Sequence, residues 1–132
     1  MNRRTLVLVL GFVLSLFAAP FPGRAAEPPA APSEHSRLAV LWTSGDPEVA
    51  HRVCLMYTHA AMKQKWFDEV TLIVWGPSAR LLAADKDLQA KVAAMKKDGI
   101  RVQACVVCAD SYGVTPKLKE LGLEVRGMGS PL

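Results

Sequence analysis

The sequence lacks several patterns that would assign a function directly. It has no P-loop, and Gly127-Met128-Gly129 lacks the third glycine and the following helix of a dinucleotide-binding fingerprint. It has no internal repeat and no cluster of basic residues interleaved with aromatic ones, the usual mark of a nucleic-acid surface. We therefore predict no nucleic-acid partner.

The longest apolar run is too short for a membrane-spanning helix. It covers residues 5–19, about 15 residues, whereas a span needs roughly 20. The basic pair Arg3-Arg4 precedes it, and proline and small residues follow it up to Ala25-Ala26. This layout predicts a secretory signal peptide at 1–26, cleaved near Ala25 or Ala26, and a periplasmic or secreted mature chain without a membrane span. An uncleaved anchor is the alternative, and the export route stays open between the general and twin-arginine pathways.

The charge of the chain depends on this leader. The full sequence has 16 Lys and Arg against 12 Asp and Glu, a net charge of +4. Removing Arg3, Arg4 and Arg24 with the leader leaves 13 basic against 12 acidic residues, a net charge of +1. Residues 27–36 are rich in proline and alanine and predict an extended linker. We assign residues 37–132 to one domain, which is long enough to bury a core without disulfides.

Within this domain, apolar strand patterns alternate with helical ones. Nearly continuous apolar runs fit strands that are covered on both faces, as in a parallel sheet. Alternation with helical crossovers predicts an α/β fold, a three-layer α/β/α sandwich with a mainly parallel sheet of 4–5 strands. The predicted strands are residues 37–42, 69–75, 100–105 and 123–126.

The first long helix is predicted over residues 47–65, with Asp46 as its N-cap and Pro47 at its first position. Leu55 and Met62 lie on a second side of this helix, where they are either scattered surface residues or a contact with another subunit. A spacing of i, i+4, i+7 and i+11 predicts a core-facing stripe of Val49, Val53, Met56 and Ala60.

A ligand pocket is predicted where the strands end, because ligands of open parallel sheets bind outside the carboxyl ends of the strands. Ser78 is predicted to cap the helix after the second strand. For the two tryptophans, ordinary packing at the strand ends is the alternative. The candidate pocket residues are Trp42, Ser44, Gly45, Trp75, Gly76, Pro77, Ser78, Tyr112, Met128 and Gly129.

Cys105 and Cys108 form a C-x-x-C pair at a strand-to-helix corner. A thioredoxin-type dithiol is not favoured, because Val-Val lies between the cysteines and the motif does not follow the first strand. Zinc would need two more ligands, and the remaining histidines and Cys54 have no paired spacing, so we predict no metal and no cofactor. Two interpretations remain: a nucleophilic Cys105 whose thiolate is favoured by the helix start, or structural thiols that are buried or joined in a disulfide. Cys54 is predicted to be structural.

The chain resembles the DsrE/DsrF-like family of small α/β proteins. The resemblance rests on four stretches taken in order and covers essentially all of residues 37–132. They are Trp42-Thr43-Ser44-Gly45-Asp46 before a long helix, residues 70–78, residues 104–109 followed by Gly113-Val114, and residues 121–129.

The resemblance implies a three-layer sandwich and a homo-oligomer, a trimer or a hexamer. In the sulfur-relay members, a cysteine after the third main strand carries a persulfide and passes it to a partner protein. Cys105 occupies the matching position, whereas Cys108 and the signal peptide depart from those members. We therefore predict a periplasmic sulfur carrier or thiol-exchange protein acting through Cys105, with Cys108 as a resolving thiol and a sulfur donor or acceptor protein as partner. The alternative is a non-catalytic oligomeric module that binds a small ligand or mediates assembly.

Overall fold

The structure is a computed structural model that describes residues 35–129. The predicted signal peptide and most of the predicted linker lie outside the described residues. The strands are β1 (Arg37–Trp42), β2 (Glu69–Val74), β3 (Arg101–Cys105) and β4 (Glu124–Arg126). The helices are α1 (Pro47–Val49), α2 (Leu55–Lys63), α3 (Pro77–Ala84), α4 (Lys86–Lys97), α5 (Val106–Ser111) and α6 (Thr115–Glu120), and a π-helical segment (Ala50–Cys54) joins α1 to α2.

The four strands form one sheet in the order β1-β2-β3-β4, and every pair is parallel. The predicted α/β class and the parallel sheet are therefore confirmed. Between residues 35 and 129, no helix is both long enough and apolar enough to cross a membrane.

The helices pack against one face of the sheet. Each crossover moves one strand along in the same direction, and right-handed crossovers of this kind place all connecting helices on the same side. Burial agrees with this arrangement: Val70, Leu72 and Val74 of β2 belong to the main core, whereas Glu69 on the other face is exposed. Residues 35–129 thus supply the sheet and one helical layer of the sandwich.

The helix after β1 starts as predicted but buries a different face. The Asp46 carboxylate accepts hydrogen bonds from the backbone N–H of Glu48 at 2.7 Å and of Val49 at 3.3 Å, so the N-cap is confirmed. The predicted core stripe is wrong: Val49, Val53 and Met56 are 39%, 59% and 56% exposed.

A π-helical turn explains this difference for the residues that follow it, whereas Val49 lies before the turn and is already exposed. The backbone N–H of Leu55 donates to the carbonyl of Ala50, five residues earlier, whereas the predicted stripe assumed a regular α-helical repeat of 3.6 residues. The extra residue rotates everything that follows. Ala50 is buried at the start of the turn, and after the turn Leu55, Thr58 and Ala61 continue the buried face, so Leu55 is fully buried rather than at the surface.

Two further helix starts differ in whether a side chain caps them. Asp85 caps α4, accepting from Asp87 N at 2.9 Å and Leu88 N at 3.0 Å. Ser78, by contrast, lies inside α3, which begins at Pro77 after Gly76 in a positive-φ conformation (φ 64°). The predicted Ser78 cap is therefore wrong, because its hydroxyl bonds to the strand ends instead.

Candidate functional site

Cys105 is the last residue of β3, and α5 begins at the next residue. Side chains alternate between the faces of a strand, and Ala104 belongs to the helix-covered core. Cys105 therefore lies on the opposite face of the sheet, at its carboxyl edge, where it is only 4% exposed. On the neighbouring strand its register partner is Arg126.

Around Cys105 lies a second, smaller apolar cluster, separate from the main core. Ile73, Cys105 and Met128 are its buried members, and Trp75 and Cys108 pack against them half-buried. We call these five residues the sulfur cluster. It brings together side chains from β2, β3, α5 and the segment after β4, as expected for a site at the carboxyl edge of a parallel sheet.

The thiol of Cys108 lies beside that of Cys105, and both are free. Burial raises the pKa of the Cys108 thiol above its ordinary value, and the neighbouring Cys105 raises it further. A hydrogen bond from the backbone of Gly76 acts in the opposite direction and lowers the pKa of Cys108. The loop between β2 and α3 therefore contacts the thiol pair through its backbone.

Ser78 holds the ends of β1 and β2 together. Its buried hydroxyl donates to the carbonyl of Trp42 at 2.5 Å and accepts from the backbone N–H of Trp75 at 3.0 Å. The N–H of Trp75 also donates to the carbonyl of Trp42 at 2.9 Å. Ser78 was predicted to line a pocket, but the structure gives it a role in positioning the strand ends.

The two tryptophans do not face a common pocket. Trp42 is 1% exposed and belongs to the main core, whereas Trp75 packs against the sulfur cluster. The prediction that Trp42 walls the carboxyl edge is therefore wrong, and the alternative of strand-end packing describes it. Within the described chain, the indole Nε1 of Trp42 is a buried donor without a hydrogen-bond acceptor.

The other predicted pocket residues contact the loops around the edge. The Ser44 hydroxyl accepts from Asp46 N at 3.1 Å, and Gly45 lies so close to Pro77 that an added Cβ would be 3.1 Å from the Pro77 Cβ. Tyr112 packs against the main core beneath the Arg80 guanidinium, 5.3 Å from the ring centre, and Gly129 is exposed. Of the predicted site, the structure brings together Cys105, Cys108, Trp75, Gly76 and Met128.

Sequence reasoning missed a polar network next to the sulfur cluster. Gln103 Nε2 donates to one oxygen of the Glu124 carboxylate at 2.7 Å, and Arg126 Nη1 donates to the other at 2.9 Å. Both hydrogen bonds hold the pKa of Glu124 below its usual value, and the one from Gln103 has the larger effect. Alternation along β3 and β4 could have placed Gln103, Cys105, Glu124 and Arg126 on one face.

Cys54 has a different environment from the thiol pair. It lies at the end of the π-helical segment and packs half-buried against the main core. Burial raises the pKa of Cys54 to about 11. At neutral pH this side chain is therefore a protonated thiol, which is a poor nucleophile.

Parallel sheet and thiol pair together define an α/β protein with a candidate thiol site at the carboxyl edge of its sheet. No family model matches the chain, and no curated protein matches it. Among solved structures, the chain is similar to a conserved protein of unknown function from Bacteroides thetaiotaomicron, with 32% identity and a TM-score of 0.72 over 76% of this chain and 87% of that one. At this identity and coverage, the chain belongs to the same family as that protein.

Proposed function

We propose that this chain is an exported DsrE-like sulfur carrier that holds sulfane sulfur as a persulfide on Cys105. The observation that carries the proposal is the pairing of two free thiols, Cys105 and Cys108, in an apolar cluster at the carboxyl edge of the sheet. The DsrE-like assignment rests on the sequence stretches described above, and the export rests on the predicted signal peptide.

Loading Cys105 needs only a donor persulfide. The Cys105 thiolate attacks the outer sulfur of a donor R–S–SH, the donor S–S bond breaks, and R–S⁻ leaves. The product is Cys105–S–SH, and no electrons enter or leave the system. A thiolate of an acceptor protein then attacks the outer sulfur in the same way and regenerates Cys105.

The surroundings of Cys105 suit a reactive sulfur atom. Ile73 and Met128 are buried beside it, and Trp75 packs against the same cluster, so water has little access to the sulfur. Exclusion of water protects a persulfide from side reactions with solvent and dissolved oxidants. A buried carrier position implies transfer only to a partner that can open the cluster.

Cys108 provides a second route out of the persulfide state. Its thiolate can attack the inner sulfur of Cys105–S–SH, forming the Cys105–Cys108 disulfide and releasing hydrosulfide. A dithiol reductant is then needed to restore the two thiols. The contact between the two side chains supports this step.

Mass spectrometry tests the proposal. After exposure of the reduced full chain to inorganic polysulfide, we expect a mass gain of one sulfur atom on the peptide that carries Cys105. Cys105→Ser should abolish the gain, Cys108→Ser should make it more persistent, and Cys54→Ser should leave it unchanged. A gain that survives Cys105→Ser would refute the proposal.

We also propose a homo-oligomer, and one observation favours this assembly role. Val53, Met56 and Tyr57 on the outer side of the first long helix, together with Trp66, are 59%, 56%, 46% and 53% exposed. The rings of Tyr57 and Trp66 lie 5.9 Å apart, and Val53 precedes Met56 and Tyr57 by about one helical turn, a spacing that makes side chains neighbours on a helix surface. Exposed apolar patches of this kind are typical of protein interfaces.

Light scattering coupled to size-exclusion chromatography tests the assembly. We expect a trimer or hexamer for the natural chain and a monomer for Met56→Asp, because a carboxylate in the patch cannot be desolvated without a partner. Ala90→Asp, which places the same charge on an exposed position of α4, is the matched control. A natural chain that is monomeric at micromolar concentration would rule out the oligomer.

A further inference from the structure

The sulfur cluster contains a third sulfur atom, the thioether of Met128, beside the two thiols. Met128 comes from the segment after β4, is 1% exposed, and belongs to the same cluster as Cys105 and Cys108. The prediction of no metal site rested on the lack of further ligands for the cysteine pair. The structure supplies one, but it is a thioether, which changes the metal that the site would select.

Ligand type decides between metals at such a site. Thiolates and thioethers are soft ligands that favour Cu(I), whereas Mg²⁺ and Ca²⁺ need oxygen ligands and structural zinc takes four ligands from Cys, His and carboxylates. Among residues 35–129, no group of three or more His, Cys, Asp or Glu side chains could hold a metal ion. We propose that Cys105, Cys108 and Met128 form a binding site for Cu(I).

The topology places the three sulfur atoms at one corner. Cys105 ends β3, and Cys108 follows three residues later in α5. Arg126 of β4 is the register partner of Cys105, so Met128 lies two residues beyond that partner. One thiol therefore comes from a strand end, one from a helix and the thioether from the segment after β4, and all three side chains belong to the sulfur cluster.

The charges and the walls of the cluster suit a monovalent ion. Two thiolates and one Cu(I) carry a net charge of −1, which is less than the −2 of the same two thiolates without an ion. Ile73 and Trp75 are the apolar neighbours. Cu(I) accepts two or three ligands and needs no bound water, so a dry site of three sulfur atoms can satisfy it.

Binding is balanced without an oxidant or a reductant. Cu(I) forms bonds to two thiolate sulfurs and one thioether sulfur, and the two cysteine protons pass to solvent. The ion stays Cu(I) throughout. A Cys105–Cys108 disulfide has no thiolate to offer, so only the reduced chain binds.

This site goes beyond the proposed sulfur carrier and can fail independently of it. A persulfide needs only Cys105, whereas tight Cu(I) binding needs both thiolates and is strengthened by the Met128 thioether. Cys108→Ser should therefore abolish tight Cu(I) binding while retaining the mass gain on Cys105 after polysulfide treatment. A chain that takes up polysulfide sulfur but not Cu(I) would overturn the metal site alone.

An anaerobic titration of the reduced full chain with Cu(I), in competition with the chromogenic chelator bicinchoninate, tests the site. We expect one tightly bound Cu(I) per chain and no such binding by the disulfide form. Met128→Leu keeps the side-chain volume and should weaken Cu(I) binding by about tenfold or more. Met62→Leu and Cys54→Ser should leave the affinity unchanged, since both residues pack against the main core.

Three results would overturn the proposal: an unchanged affinity in Met128→Leu, a loss of affinity in Cys54→Ser, or binding of Zn²⁺ as tight as that of Cu(I). Circular dichroism of each variant shows whether it is folded. If Met128→Leu is unfolded, sulfur-edge and copper-edge X-ray absorption of the natural protein decides, because two sulfur neighbours around Cu(I) instead of three would exclude the thioether.

Discussion

The two faces of the sheet use the same four strands for different purposes. On the covered face, Leu72, Val74 and Ala104 are completely buried beneath the helices. On the other face, Arg37 pairs with Glu69, and Gln103 and Arg126 hold Glu124. Only at the carboxyl end does this second face become apolar, and there it carries the thiol pair.

The helix-covered face therefore stabilises the fold, and the opposite face carries the candidate thiol site. Burial of apolar surface is the dominant favourable contribution to folding, and the helix-covered face provides most of it. The other face contributes little burial, so its carboxyl end can hold reactive thiols without weakening the core. Four substitutions can sharpen or break this division.

The largest effect should come from shortening a side chain on the covered face. Leu72→Ala removes a fully buried side chain of β2 and should lower the free energy of unfolding by about 2–5 kcal/mol. Leu41→Ala, in β1 on the opposite face and 47% exposed, is the matched control and should cost much less. Urea denaturation measures both, and equal losses would mean that the second face is also covered.

Removing the hydroxyl that joins the strand ends should have the next largest effect. Ser78→Ala leaves the buried polar backbone of Trp42 and Trp75 with fewer partners and should cost about 1–3 kcal/mol in the free energy of unfolding. Ser44→Ala removes a hydroxyl whose one bond is exposed and should cost less. A Ser78→Ala variant as stable as the natural chain would show that Ser78 does not hold the strand ends.

A smaller effect is expected from the helical layer itself. Asp85→Ala removes the N-cap of α4 and should cost about 1 kcal/mol. Asp87→Ala changes an exposed carboxylate in the first turn of the same helix without removing the cap. Thermal unfolding of the two variants separates the effect of the capping hydrogen bonds from the effect of the negative charge. A larger loss of stability for Asp87→Ala than for Asp85→Ala would contradict the assignment of Asp85 as the N-cap.

The smallest effect should come from the charged face, and it depends on pH. The pKa of Glu124 is lowered in the folded state by Gln103 and Arg126, so Glu124 stabilises the fold above its unfolded pKa. This contribution is lost as the pH falls through the lowered pKa. In Glu124→Gln, the free energy of unfolding should therefore fall less steeply as the pH is lowered. Glu69→Gln, on the same face, is the control for the change in net charge. An acid limb that stays equally steep in Glu124→Gln would contradict the role of this network.

The strands and the Asp46 cap could be predicted from the sequence because local residues decide them. The apolar runs gave all four strands to within one residue at each end. Asp46 and Asp85 cap helices because a carboxylate reaches the backbone N–H groups two and three residues later.

The errors arose where distant contacts override local preference. The buried residues after the start of the first helix differ from the predicted stripe because a π-helical turn adds a residue to the repeat. No local sequence pattern predicts this turn. Trp42 is buried in the core and Ser78 bonds to the strand ends. The environment of both residues depends on how the ends of β1 and β2 lie beside each other, which local sequence does not determine. Met128 was predicted at the same edge as Cys105, but its packing against the thiols depends on β4 lying beside β3, which is a property of the strand order.

Trp75 gives the thiol corner its own optical reporter. The chain has three tryptophans, and they lie in different surroundings: Trp42 in the main core, Trp66 exposed, and Trp75 against the sulfur cluster. With Trp42 and Trp66 replaced by phenylalanine, the remaining emission comes from the indole beside Cys105 and Cys108. Any added sulfur, bound ion or disulfide at this corner can then be followed in real time by fluorescence, without a label.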